Sequence, residues 1–109
     1  SSLRKRPKAN IIVSSFNIGF LRYFWMFAPN IPLASIHKFF PEDIYFLKTE
    51  LAIEAVHLDS DLIATSVDVA LFHQQGIKIR AWTVNDPSRA VDLFDLGVDM
   101  VMSDYPERI

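Results

Sequence analysis

Two kinds of apolar run take turns along this chain. Some are short, continuous and rich in β-branched residues; others are longer, with apolar positions recurring at helical spacing. Ile11-Ile12-Val13 is a short buried-strand signal that stops at Ser14-Ser15-Phe16-Asn17. Asn17 can cap the next segment, a helix through Leu21, Phe24 and Phe27 that Ala28-Pro29-Asn30 ends. Ile31 to His37 reads as a second strand with Pro32 near its start, and Pro41-Glu42-Asp43 opens a short helix toward Glu50. A weaker strand signal covers Ile53 to Leu58, after which Asp59-Ser60-Asp61 caps a helix from Leu62 to Gln75, closed by Gly76. The last third states the pattern most clearly. Ile77 to Val84 is a β-branched, apolar run; Asp86 then caps a helix with Pro87 in its first turn. Ala90, Val91, Leu93, Phe94 and Leu96 fall at helical spacing before Gly97, and Val98 to Met102 is a further buried-type strand ending at Ser103-Asp104-Tyr105-Pro106.

Units of this kind force successive strands to run parallel, with their C-terminal ends on one face. About five strands alternating with helices predict an α/β fold, a parallel sheet covered by helices. Alternation alone leaves both a doubly wound sheet and a (β/α)8 barrel open. With 109 residues, half of them apolar, the chain suffices for one modest domain. Its net charge of −2 gives no electrostatic footprint for nucleic acid. The one basic cluster, Arg4-Lys5-Arg6 with Lys8, reads as a solvated surface or a helix end before it reads as a phosphate patch. Absence of cysteine excludes disulfides, thiolate metal sites and a Cys nucleophile. No segment has the roughly twenty apolar residues of a membrane span, and the charged start does not read as a signal peptide. Isolated glycines at 19, 76 and 97 form no phosphate-binding loop.

Particular residues add a resemblance. Ala81-Trp82-Thr83-Val84-Asn85, followed by Gly97-Val98-Asp99 and Ser103-Asp104-Tyr105-Pro106, resembles the end of a glycerophosphodiester phosphodiesterase barrel. Ser14-Ser15-Phe16 is similar to a strand end of that family, and Ala28-Pro29-Asn30-Ile31-Pro32-Leu33 to its next helix-to-strand link. The resemblance implies a TIM-type (β/α)8 barrel of which residues 1–109 supply the C-terminal part, about strands 4–8. Such a barrel takes about 250 residues. The family's His-Arg-Gly motif, its early carboxylate ligands and its second catalytic His have no counterpart here. The resemblance therefore implies metal-dependent hydrolysis of glycerophosphodiesters to glycerol phosphate and an alcohol in the complete barrel. The divalent ion, Ca or Mg, would be held by ligands outside this chain, and the chain alone would be inactive, supplying walls of the substrate pocket. The alternative is a non-catalytic half-barrel acting as an interaction or scaffold module.

Barrel sites lie at the C-terminal strand ends. The resemblance places Trp82 against the glycerol end of the substrate and Phe16 on the pocket wall, with Asn85 and His57 as further substrate-binding candidates. Each has a structural competitor: Trp82 and Phe16 as ordinary packing, Asn85 as a turn or cap, Asp104 as a strand-end hydrogen-bonding group. No catalytic or metal-ligating residue is assigned. His37, His57 and His73 form no i,i+4 pair. His73 falls on a helix surface, whereas His37 and His57 both end strands and can converge at the barrel top. Lys78 and Arg80 share a strand face with Trp82, so either Arg80 points inward and pairs with an acid such as Glu54, or that strand is frayed.

The segment Phe20-Leu21-Arg22-Tyr23-Phe24-Trp25-Met26-Phe27 is apolar nearly all round. With Phe20 or Leu21, Phe24 and Phe27 toward the core, Tyr23, Trp25 and Met26 face outward, and helix 18–28 calls for a partner. A second copy of the chain ranks first, another domain second, a membrane surface third. Open edges of a half-barrel point the same way, toward self-association or toward the missing N-terminal half.

Overall fold

Five parallel strands lie side by side in the order in which the chain makes them. The computed structural model describes residues 12–104, so the basic cluster at 4–8, Ile11 of the first strand signal, and Tyr105-Pro106 lie outside the described residues. Strands β1 (Val13–Ser15), β2 (Leu33–His37), β3 (Ala55–Asp59), β4 (Lys78–Trp82) and β5 (Met100–Val101) pair only with their sequence neighbours. Between them come α1 (Ile18–Phe27), α2 (Ile44–Thr49), α3 (Ser66–His73) and α4 (Pro87–Asp95).

Register sorts the side chains into two rows, because residues paired across parallel strands point to the same side. Val13, Leu33, Val56, Leu58, Ile79, Ala81 and Val101 point one way. They pack with Leu21 of α1, Leu47 of α2, Val69 and Phe72 of α3, and Ala90 and Leu93 of α4 in one continuous core. Ile36, His57, Arg80 and Trp82 belong to the opposite row, and none joins that core. Sequential strand order with helices on one face is a singly wound sheet, the arrangement of a (β/α)8 barrel. A doubly wound sheet reverses its order at a switch point and carries helices on both faces.

Local signals set most element starts. Asn17 Oδ1 accepts from the Phe20 amide at 3.0 Å, Asp43 Oδ1 from Phe46 at 2.9 Å, and Asp86 Oδ1 from Ser88 at 2.9 Å, with Pro87 as the first residue of α4. The third helix departs from expectation. Asp59 Oδ1 accepts from Asp61 at 3.1 Å but opens only a short 3-10 turn, Ser60–Leu62. Ile63 is then extended and buried in the core, and Asp68 Oδ2 takes the amides of Ala64 and Thr65 at 3.0 Å each. That acceptor fixes the true start of α3 at Ser66.

Helix α1 also differs in one residue. Leu21 is fully buried, but Phe27 is 64 % exposed and stacks on Tyr23. At 3.6 residues per turn Phe27 lies about 120° from Leu21, whereas Ala28, seven positions on, returns to its direction. Ala28 is the buried residue, and its carbonyl accepts from the Ile31 amide at 3.1 Å as the chain turns into β2. Among the described residues no helix is long and apolar enough to cross a membrane.

Gly97-Val98-Asp99 proves to be a strand-start fastening. Gly97 has φ +105°, and a Cβ there would meet Val69 Cγ1 at 3.1 Å. Asp99 Oδ2 accepts from the Ile79 amide and from His73 Nε2, both at 2.8 Å, tying β4 and the end of α3 to the approach to β5. Asp99→Ala leaves the Ile79 amide without its acceptor. It is expected to lower unfolding free energy by about 1–3 kcal/mol in urea titrations, against a change within about 0.5 kcal/mol for the exposed Asp95→Ala.

Candidate functional site

At the C-terminal strand ends, the face without helices forms a cleft of about 330 Å³. Its lining is Phe16 after β1, Ile36 of β2, His57 of β3, Trp82 with Thr83 at the end of β4, and Met102 after β5. Three of the residues singled out from sequence, Trp82, Phe16 and His57, therefore meet in one place. Strand alternation brings them there, since Ile36 and His57 are register partners and Trp82 stands two residues beyond Arg80, the partner of His57. The peptide bond between Trp82 and Thr83 is cis.

Asn85 lies elsewhere. Its Oδ1 accepts from Ser103 Oγ at 3.0 Å and from the Asp104 amide at 2.9 Å, while Nδ2 donates to Asp104 Oδ2 at 3.3 Å. With the Val84 amide on the Met102 carbonyl and the Met102 amide on the Ala81 carbonyl, both at 2.8 Å, this is a clasp that fixes the ends of β4 and β5. The carboxamide is committed to the fold and does not line the cleft.

Nor do His37 and His57 converge. His37 shares the helix-side row with Ser35, and its Nε2 lies 2.7 Å from Ser35 Oγ. It borders an adjoining cavity of about 430 Å³ with Phe39 and Phe40, which shares Phe16 and Ile36 with the cleft. His73 is an exposed helix-end residue held by Asp99. His57 faces the bare side, where Arg80 Nη1 approaches its Nε2 at 3.3 Å. Arg80 is only 8 % exposed, and its Nη2 lies 3.7 Å from Glu54 Oε2, an ion-pair distance too long for a hydrogen bond. Inward pairing of Arg80 with Glu54 thus describes this strand, and it is not frayed.

The cleft is mainly apolar, with few polar atoms. Phe16 is 55 % exposed, and Lys38 Nζ stands 5.6 Å from its ring centroid. Trp82 Nε1 is shut off from solvent with no hydrogen-bond partner among the described residues. A buried donor left so costs about 1–3 kcal/mol. Among the described residues no group of three or more His, Asp or Glu side chains could hold a metal ion, so the divalent ion implied by the resemblance finds no fit in them.

Residues 1–108 match the model of the glycerophosphoryl diester phosphodiesterase family. The chain belongs to this family. A phosphodiesterase from Oleispira antarctica, solved with the product sn-glycerol-3-phosphate, superposes with TM-score 0.83 at 28% identity, over 90% of this chain and 39% of its own. A glycerophosphodiester phosphodiesterase from Parabacteroides distasonis gives TM-score 0.73 at 25% identity, over 86% of this chain and 39% of its own. A putative glycerophosphoryl diester phosphodiesterase from Silicibacter pomeroyi shares the fold with TM-score 0.77 at 23% identity, over 89% of this chain and 35% of its own. The chain thus spans well under half the length of these solved family structures. No curated protein sequence matches it.

Thr83, Ile36 and Met102 escaped the sequence reading, although the alternation that put Trp82 on the bare face reaches Ile36 as well. Arg89 escaped too. Its Nη2 donates to the carbonyls of Ser60 at 3.0 Å and Ile63 at 3.2 Å, bracing the turn after β3 from α4. Arginine at a helix surface carries no sequence signal for that task.

Burial lowers the pKa of His37, and burial followed by the Arg80 charge lowers that of His57. Each is then protonated more readily unfolded than folded. Between the ordinary value of 6.5 and the lowered folded values the unfolded chain binds more protons. Stability is accordingly full above that window and lost as pH falls through it. The melting temperature is expected to drop from about pH 7.5 to about pH 5.5. In the His37→Gln, His57→Gln double variant that drop should shrink.

Proposed function

We propose that the chain is the C-terminal portion, about strands 4–8, of a glycerophosphodiester phosphodiesterase barrel. In the complete barrel the reaction is metal-dependent hydrolysis of a glycerophosphodiester to glycerol phosphate and an alcohol. The observation that carries the reading is the division of the sheet. One face is sealed by four helices, and the other presents an apolar, aromatic cleft at the C-terminal strand ends, where barrel enzymes place their sites. Strands β1 and β5 are the edges of this open sheet, positions that pair with further strands when a barrel closes. The cleft's share of the work is binding. Trp82, Phe16, Ile36 and Met102 offer a face for the carbon skeleton of the glycerol moiety and keep water off it. The metal, Ca or Mg, and the proton-transferring groups come from outside the described residues.

Hydrolysis of a glycerophosphodiester, with Ca²⁺ or Mg²⁺ added, tests this directly. The chain alone is expected to show no turnover. Co-folding with an N-terminal portion from a family member such as the Oleispira antarctica enzyme is expected to restore EDTA-sensitive activity. Trp82→Ala should then lower kcat/KM by about tenfold or more, because it removes a wall that orients the substrate. Turnover by the chain alone that Trp82→Ala abolishes would show a self-sufficient half-barrel and overturn the reading.

A second reading, a non-catalytic interaction module, draws on α1. Tyr23 is 62 % exposed, Met26 72 % and Phe27 64 %, and Arg22 is the only charge within the helix. A second copy of the chain is the first-ranked partner for this face, ahead of another domain and of a membrane surface through Tyr23, Trp25 and Met26. Replacing Trp25 with Lys and Met26 with Glu should abolish self-association in sedimentation, or binding to lipid vesicles, without loss of helical circular dichroism. Association that persists unchanged would exclude α1 as the interface.

A further inference from the structure

We propose that Arg80 is a positioning residue that fixes His57 as its neutral Nδ1–H tautomer, making the imidazole a standing hydrogen-bond donor to a substrate oxygen. The substrate contact rests on the pocket-wall reading above; the tautomer does not.

His57 and Arg80 are register partners on adjacent parallel strands, and their side chains meet at 3.3 Å between Nε2 and Nη1. A guanidinium carries only donors and stays protonated in proteins. The contact therefore has one polarity: Nη1–H donates and Nε2 accepts. A ring nitrogen that accepts has no proton, so the neutral ring carries its proton on Nδ1. Protonating Nε2 would remove the acceptor and set one cation against another. Arg80 cannot easily withdraw, since it is nearly buried and faces Glu54 on its other side.

The groups around His57 on this face support the same state. Ile36 stands across from it on β2, Ala55 and Asp59 lie along its own strand, and Lys78 and Trp82 flank Arg80 on β4. Asp59 Oδ1 is engaged by the Asp61 amide at 3.1 Å. Among the described residues Nδ1 has no partner, while the ring lines the cleft with Phe16, Trp82 and Met102. The cleft is thereby offered an N–H and not a base. The chemistry such a donor recognises is an oxygen acceptor, either a hydroxyl or a phosphate-ester oxygen. His57 is consequently a recognition group rather than a proton carrier.

Two-bond ¹⁵N–¹H correlation spectra of the 109-residue chain read the tautomer without substrate or activity, His57→Gln assigning the signal among the three histidines. The expected wild-type pattern is a protonated Nδ1 and an unprotonated Nε2 through neutral pH. Arg80→Met should return the ring toward the Nε2–H form and its ionisation toward about 6.5. Arg80→Lys, which restores a cationic donor, should recover the Nδ1–H pattern. A wild-type Nε2–H ring overturns the proposal with no variant needed, as does an Nδ1–H ring that survives in folded Arg80→Met. In the reconstituted barrel, Arg80→Met should raise KM several-fold with kcat nearly unchanged, and an unaltered KM overturns the donor role. A wild-type barrel without turnover would sink the pocket-wall reading and the substrate contact with it, while the spectra still decide the tautomer.

Discussion

Strict alternation of side chains along a strand is the constraint on which the rest of this molecule depends. Five parallel strands paired in register turn that alternation into two continuous rows. The row of Leu33, Val56, Leu58, Ile79 and Ala81 is mainly aliphatic, with Ser35 and His37 toward its β2 end, and is covered by helices that return over the same side after each of the first four strands. The other row mixes Ala34 and Ile36 with His57, Arg80 and Trp82. Its composition suits the inside of a barrel, where a packed floor of small and paired residues gives way to chemistry at the strand ends. A one-residue slip in β4 would exchange Ile79 and Ala81 with Arg80 and Trp82, burying a charge among helices and emptying the cleft. Register is therefore fixed by the cost of misplacing Arg80 as much as by the aliphatic core.

Much of this was legible in the sequence, for identifiable reasons. Caps at Asn17 and Asp86 and the helix-closing Gly97 are local signals whose partners lie within a few residues, so reading them requires no knowledge of the fold. Trp82, Phe16 and His57 were legible as strand-end residues, and shared parity brought them together. What failed depends on distant partners. The start of α3 turns on whether Ile63 is wanted in the core, which pulls the chain out of the helix that Asp59 begins to nucleate. His37 and His57 look alike as strand-end histidines, yet His37 falls in the row of Ser35 and His57 in the row of Arg80. One residue of register separates a packing group from a cleft group, and strand boundaries read from sequence are no sharper than that.

The distribution of hydrogen bonds separates the polar groups that fix the fold from the side chains that line the cleft. Asn85, Asp99 and Arg89 are polar residues near strand or helix ends, and each looks functional by type. All three commit their side chains to backbone or neighbouring groups. Asn85 clasps the ends of β4 and β5, Asp99 their starts, and Arg89 the turn after β3. These bonds hold the termini of β4 rigid at both ends, which is what a flat indole needs in order to present one fixed face. The indole N–H of Trp82 has no hydrogen-bond partner among the described residues, and Phe16 contributes its ring.

That contrast bears on what the cleft is for. A folded domain has no use for an indole N–H closed off from water without an acceptor, nor for a large aromatic half in solvent, unless another surface completes them. The sheet has two open edges and a face that its helices never cover, and all of these lie on the side where the cleft opens or beside it. Closing the sheet into a barrel would satisfy the edges, while Ala34, Ala55 and Arg80 of the helix-free face are already buried. On the proposed reading, Phe16, Trp82 and His57 at the strand ends are the side chains left to meet a substrate.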